Sequence, residues 1–323
     1  MTSATMQLSP DRIQYLKKRK VQKSRAQLWL IVIGILSAVI FLGLLVATIA
    51  NAENLFGSAH TQPPTVDSGT KSTYQSYQIS SSEKATGTLI LVNSTHEYVF
   101  PQTEDHLVSI FSGRNVLADN QYSYKVSNSS LLLDSRALTA LNSLMDAFYA
   151  ATGERDAIIT SAYRTKEDQE KLHSTTLPGF SDFHTGYIVS VKIFDGENTY
   201  ELSKKEAYNW ITENCYKYGF VVRYPAGKEA KTGVSDYTNA FRYVGVAHAT
   251  YMHDNNLCLE EYIELLHDHP YEGEHLNIST DKGAYEVYYI PASTESITSI
   301  YRTEDAVVSG DNETGFIITV PKN

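Results

Sequence analysis

An α+β domain is expected between an N-terminal transmembrane helix and a C-terminal β extension. Three observations carry that expectation. Leu28 to Ala50 is uncharged and built mainly from Leu, Ile, Val and Ala, and an apolar run of about 20 residues crosses a hydrocarbon core roughly 30 Å thick. Leu138, Leu141, Leu144, Met145 and Phe148 recur at helical spacing. Ala157 to Ser161 and Tyr187 to Ile193 are short apolar runs of strand-forming residues.

The 28–50 run starts far from the N-terminus and is longer than a signal-peptide core. Ala50-Asn51-Ala52 offers an A-x-A cleavage triplet, but length and position favour an uncleaved anchor. Residues 1–27 carry Arg12, Lys17, Lys18, Arg19, Lys20, Lys23 and Arg25 against Asp11. That bias predicts a cytoplasmic tail, with the remainder extracytoplasmic in a single-pass topology in the cell membrane. Without the tail, 20 basic and 36 acidic residues remain, about −16 with neutral histidines. Such a balance argues against nucleic-acid binding.

Residues 51–87 are rich in Ser, Thr, Gln and Gly and read as a flexible stalk. A folded domain is expected over 88–270, opening on a short buried strand, Leu89 to Asn93. The helix Ser135 to Thr152 has Asp134 or Ser135 to cap it and Gly153 to end it. Further helices are expected at Lys166 to His173, Lys204 to Tyr218 (capped by Ser203), Gly245 to Asn255 and Leu259 to His267. Phe220 to Tyr224 reads as a strand. Residues 271–323 read as a β-rich extension of about three strands, with turn signals at Ser309-Gly310-Asp311-Asn312. Cys215 and Cys258 lie in apolar helical patterns and read as buried thiols, with a disulfide between them as the alternative. His173, His267, His269 and His275 show no metal-ligand spacing.

The stretch Ser181 to Ser190 is a polar turn feeding a buried strand, a place where α/β enzymes often set a metal. Around it lie Ser161-Ala162-Tyr163-Arg164 with Gln169, then Tyr218-Gly219-Phe220 and Arg223-Tyr224-Pro225-Ala226-Gly227-Lys228. Thr232-Gly233, Phe241-Arg242-Tyr243-Val244-Gly245 and Leu259-Glu260-Glu261-Tyr262 follow. In this order and spacing the set resembles the VanY-type D-alanyl-D-alanine carboxypeptidases, bacterial LAS-type zinc peptidases that trim peptidoglycan stem peptides. The resemblance spans roughly residues 88–270. It implies a small antiparallel sheet with flanking helices. The tail from Tyr285 to Phe316 also resembles an extension of some anchored members.

The resemblance further implies zinc held by a His and an Asp seven apart and by a second His. That second His follows a general-base Glu by three. Two imidazoles, one carboxylate and an open position make a catalytic zinc site. Here Ser181 and Gly186 fix the first register, which puts Phe183 and Ser190 at the His and Asp positions. Thr232-Gly233 and the Phe241 to Gly245 run fix the second, which puts Tyr237 at the Glu position and Ala240 at the other His. No catalytic residue and no metal cofactor are therefore expected. Asp182 and His184 are weak substitutes for a displaced metal site, because one residue along a strand reverses the face.

The binding half of the pattern is kept at Ser161, Tyr163, Arg164, Gln169, Ser181 and Thr185. The resemblance gives the Arg of this set the C-terminal carboxylate of the substrate, which suits a planar fork. The expectation is a membrane-anchored pseudoenzyme that binds a peptidoglycan stem peptide or a cell-wall protein. The alternatives are an active carboxypeptidase with a displaced metal and a structural subunit of a membrane complex.

Overall fold

The structure, a computed structural model, describes residues 74–322 apart from residue 236. The 28–50 run and the basic tail lie outside the described residues. Among the described residues, no helix is long and apolar enough to cross a membrane.

In chain order the strands are β1 (Gln75–Ser80), β2 (Leu107–Ser109), β3 (Lys125–Val126), β4 (Leu132–Asp134), β5 (Ala157–Ser161), β6 (Ile188–Phe194) and β7 (Thr199–Tyr200). They continue with β8 (Phe220–Val222), β9 (Ala240–Tyr243), β10 (Leu276–Thr280), β11 (Gly283–Pro291), β12 (Ile297–Arg302), β13 (Val307–Gly310) and β14 (Gly315–Lys322). The helices are α1 (Ile110–Gly113), α2 (Ser135–Thr152), α3 (Lys166–Lys171), α4 (Asn209–Asn214), α5 (Glu229–Thr232), α6 (Val246–Asp254) and α7 (Leu259–His267). The α+β expectation holds.

The central sheet runs β3-β5-β6-β9-β8, with β7 paired to β6. Its β5, β6, β9 and β8 neighbours are antiparallel. Side chains alternate across a strand, and here the alternation separates core from site. Val189, Val191 and Ile193 of β6, with Phe241 of β9, pack into the core under α2. Ile188 and Ser190 of β6, with Ala240 and Arg242 of β9, belong to the other face, where Ser190 pairs with Ala240 and Ile188 with Arg242.

Helix α2 has the predicted bounds. The Asp134 carboxylate accepts from the backbone N–H of Arg136 and Ala137, and Gly153 closes the helix at φ 74°. Glycine alone takes that left-handed turn without a Cβ penalty. Asp134→Ala is expected to cost about 1 kcal/mol, up to about 2, read as a lower urea midpoint with an unchanged slope.

Four expectations need correction. Residues 89–92 are buried but form no strand ladder. The Leu89 N–H donates to Ser309 Oγ and the Leu91 N–H to the Asp311 carbonyl. The Thr88 and Ile90 carbonyls accept from Arg242 Nη2. Buried backbone groups must find partners, and these find them outside any sheet.

The stalk ends sooner than residue 87. Residues 75–80 form β1, paired antiparallel with β12 from Gln75↔Arg302 to Ser80↔Ile297. A Cβ added to Gly310 would come within 1.9 Å of the Lys84 carbonyl oxygen, so this part of the supposed stalk lies flat on β13.

The helix expected over Lys204 to Tyr218 is broken. Lys205 is extended (φ −140°, ψ 114°), and 3₁₀ turns flank the six-residue α4. Tyr208, Ile211 and Cys215 are nonetheless buried, so the apolar spacing is met without one continuous helix. Both cysteines are free and buried, and burial pushes the Cys215 thiol up to about 12.

The C-terminal β region is no appendage. Its sheet runs β10-β11-β14-β13. Leu276, Ile278, Val287, Tyr289 and Ile317 share one core cluster with Leu89, Leu91 and the inner faces of α6 and α7.

Candidate functional site

On the face of the central sheet opposite α2, the 3₁₀ turn Asp182–Thr185 meets β6, β9 and the segment around Tyr237. Gly186 ends the turn in the left-handed conformation, φ 72°, and β6 begins two residues later. The four positions singled out in the sequence, Phe183, Ser190, Tyr237 and Ala240, meet here. Phe183, Ile188 and Ala240 form one apolar cluster with Tyr224 and Tyr237 against it. The Ser190 hydroxyl lies 2.6 Å from the Tyr237 hydroxyl, and the Phe183 and Tyr237 rings are 6.3 Å apart between centroids. Two motifs far apart in sequence thus form one place.

The donors at that place are two hydroxyls already bonded to each other, a phenyl ring and a methyl group. Zinc needs imidazole, thiolate or carboxylate donors, so these residues do not fit it. Nor do Asp182 and His184 replace them. Asp182 is buried under two arginines: Oδ2 accepts from Arg223 Nε at 2.5 Å, and Oδ1 accepts from Arg242 Nη1. His184 is buried, with Nδ1 bonded to the Arg164 carbonyl at 2.6 Å and Nε2 accepting the Gly179 N–H at 3.0 Å. The carbonyl requires a donor, so Nδ1 carries the proton. Burial lowers the His184 pKa, keeping the ring neutral. The His184 ring nitrogens and both Asp182 oxygens are engaged inside the fold.

The retained binding positions divide in two. Arg164 is half-buried, with Nη2 donating to Ser161 Oγ at 2.6 Å and Nη1 to Gln169 Oε1 at 3.1 Å. Its guanidinium stacks on the Phe183 ring at 4.0 Å. These partners are neutral, and no ion pair to Arg164 is formed among the described residues. Burial lowers its pKa, with Tyr237 opposing. Ser161 pairs with Ser190 across β5 and β6, which sets Arg164 near the Ser190–Tyr237 pair.

Gln169 and Thr185 do not face a ligand. Gln169 is buried and also donates to Ser174 and to the Thr176 carbonyl. Thr185 is buried, donates to the Asp182 carbonyl and accepts from the Tyr187 N–H and Arg242. Both brace the site. The Tyr163 hydroxyl donates to Glu104, and Ser181 is buried at the start of the turn.

Sequence reasoning missed the frame behind the site. Arg223 bridges Asp182 to Glu260, donating to both Glu260 oxygens at 3.0 and 2.8 Å. Burial works against its charge, yet Asp182 and Glu260 together hold Arg223 above its ordinary range. It also missed Tyr224, whose ring lies 6.0 Å from that of Tyr237. Tyr224 lines a cavity of about 440 Å³ with Phe180, Leu177 and Thr232. The larger cavity, about 530 Å³, lies between α6 and the β10–β11 turn, away from this chemistry. Tyr224 and Arg223 were visible in the sequence, but only as part of a motif.

An antiparallel sheet, this turn and these paired motifs are the features on which the chain can be compared with known proteins. The family model described as VanY, D-alanyl-D-alanine carboxypeptidase, matches residues 130–246. A D-alanyl-D-alanine carboxypeptidase of Enterococcus faecium is 28% identical over 79% of this chain and 82% of its own length. One of Enterococcus faecalis (strain ATCC 700802 / V583) is 33% identical over 37% of this chain and 52% of its own. The crystal structure of the vancomycin-resistance D,D-dipeptidase VanXYg, in complex with a D-Ala-D-Ala phosphinate analogue, has a TM-score of 0.65. It covers 77% of this chain and 99% of its own at 21% identity, a likeness of fold.

Proposed function

We propose that this chain is a membrane-anchored, non-catalytic VanY-type domain that binds peptidoglycan stem peptides by their C-terminal carboxylate. The observation that carries the reading is Arg164. It is a half-buried guanidinium with only neutral partners, set against the place where Phe183, Ser190, Tyr237 and Ala240 stand in for metal and base. A carboxylate would supply the missing charge in bidentate form. These four residues offer neither a zinc-ligand set nor a carboxylate base, so the bound peptide is held and released intact. The D-Ala-D-Ala activity of the relatives supports the choice of peptide, and the uncharged 28–50 run supports the anchor.

The test is calorimetric titration with a peptide ending in D-Ala-D-Ala, alongside an assay for released D-Ala. Wild type is expected to bind and to release none, even with added zinc. Arg164→Ala is expected to weaken binding by about 30-fold or more, since losing one partner of a charged pair costs about 2–5 kcal/mol. Arg164→Lys should recover only part, because a point charge lacks the fork. A peptide with an amidated C-terminus should bind wild type as poorly as the free acid binds Arg164→Ala. Unchanged binding in Arg164→Ala would make Arg164 a brace, and catalytic release of D-Ala would overturn the non-catalytic reading.

A further inference from the structure

We infer that the chain has a separate site for a zinc-type divalent cation, formed by His267, Asp311, Glu313 and His96. These residues come from three segments. His267 ends α7, Asp311 and Glu313 lie in the β13–β14 connection, and His96 closes the turn bridged by Asn93 and His96. Ligand atoms of His267, Asp311 and Glu313 all lie within 4.8 Å of one another. His96 Nε2 is 2.9 Å from Glu313 Oε1, and His267 Nε2 is 3.0 Å from Asp311 Oδ2.

The hydrogen bonds fix what each ring presents. Asn93 Oδ1 accepts from the Thr95 N–H and hydroxyl while Asn93 Nδ2 donates to Glu260, so its amide orientation is set. His96 Nδ1 lies 2.9 Å from that oxygen and must carry the proton. Its Nε2 therefore faces the Glu313 carboxylate with a second proton or with a lone pair that needs a cation. An imidazole whose far nitrogen is tied to an oxygen acceptor is the usual state of a metal-bound histidine. Asp311 is fully buried, and its Oδ1 accepts the N–H groups of Glu313, Thr314 and Gly315 at 2.7, 2.9 and 3.0 Å. That anchors the carboxylate, whose Oδ2 faces His267 while also accepting the Gly315 N–H at 3.1 Å and the Thr314 hydroxyl at 3.4 Å.

A tetrahedral zinc ion holds its donors about 3.3 Å apart. Asp311 is held fixed, so the partly exposed His267 and Glu313, and His96, which lies outside the group of atoms within 4.8 Å, would have to close in to reach this spacing. Two imidazoles with two carboxylates select a zinc-type ion over calcium or magnesium, which take oxygen donors. With the ion bound, it ties the three segments together through the carboxylates of Asp311 and Glu313.

The experiment is calorimetric titration of the full chain with ZnCl₂ at neutral pH. One ion per chain is expected, unaffected by CaCl₂. At about a hundredfold excess over Kd the melting temperature should rise by about 5–10 °C. His267→Ala and Glu313→Gln should each abolish saturable binding, and Asn93→Ala should weaken it about 10–100-fold. Glu313 is partly exposed and lies outside the core, so Glu313→Gln keeps the fold if His267→Ala does not. Asp254→Asn, on exposed surface, should leave binding unchanged. No zinc binding in wild type, or binding that survives both His267→Ala and Glu313→Gln, overturns the site. Neither outcome bears on Arg164, because peptide binding is read separately.

Discussion

Truncation after His269 is expected to give a chain that does not fold. The cut removes Leu276, Ile278, Val287, Tyr289 and Ile317 from the cluster that buries the inner faces of α6 and α7. Each fully buried side chain contributes about 1.5–3 kcal/mol, so five contribute on the order of 10 kcal/mol. A native domain has a net stability of only about 5–15 kcal/mol. Polar losses add to this. His248 is buried between the Tyr262 hydroxyl and Thr319 Oγ1, at 2.8 and 2.9 Å; burial holds its pKa near 4, so the ring is neutral. The cut orphans its Nε2, and it also orphans the N–H groups of Leu89 and Leu91. Circular dichroism should show no cooperative melt. A cooperative melt would mean that residues 88–269 form an autonomous domain.

Asp182→Ala is expected to destabilise the protein by about 3–5 kcal/mol, the usual cost of stranding a buried charge. Asp182 is the shared partner of Arg223 and Arg242, and all three side chains are fully buried. Arg223 would keep Glu260, but Arg242 would retain only Thr185 and backbone carbonyls. Urea unfolding measures the loss, and a change under about 1 kcal/mol would show that water or a rearranged Glu260 compensates. The frame is acid-sensitive as well. Burial opposes ionisation of Glu260, yet the Arg223 charge brings its pKa below the ordinary carboxylate value. Its contribution is therefore complete above pH ~4.3 and is lost as pH falls through the lower folded value. Glu260→Gln should flatten stability against pH in that window.

The site was legible in the sequence to the extent that it rests on local register. Ser181 with Gly186, and Thr232-Gly233 with Phe241 to Gly245, each fix a position by short spacing. The Ser190–Tyr237 bond and the Ser190–Ala240 pairing bring those positions together. Helix α2 was legible because cap, apolar period and terminating glycine agree. What was hidden depends on partners far along the chain. Asp182 could be weighed as a ligand because nothing near it shows that Arg223, Arg242 and, through Arg223, Glu260 occupy it. Thr185 and Gln169 fit the binding pattern, but their bonds to Arg242, Ser174 and Thr176 turn them inward. Strand β1 was read as stalk because only Tyr77 and Ile79 alternate within Gln75–Ser80, too short a signal against a Ser- and Gln-rich background. The residues 89–92 look like a strand because burial alone selects apolar side chains.

The antiparallel β1–β12 pair also sets how the folded body takes load. Among the described residues, the chain enters the folded body through Tyr74 and β1. Tyr74 is itself anchored by its hydroxyl bond to Glu286 at 2.7 Å and by ring contacts with Tyr271 and Tyr288. Inter-strand bonds run perpendicular to the strands, so tension along β1 shears all six residue pairs at once and does not peel them one by one. If the N-terminal run holds the protein at a membrane while the cleft grips a wall peptide, β1 is the mechanical coupling between the two. Weakening that strand would lower the force at which the tether gives way and leave the cleft untouched.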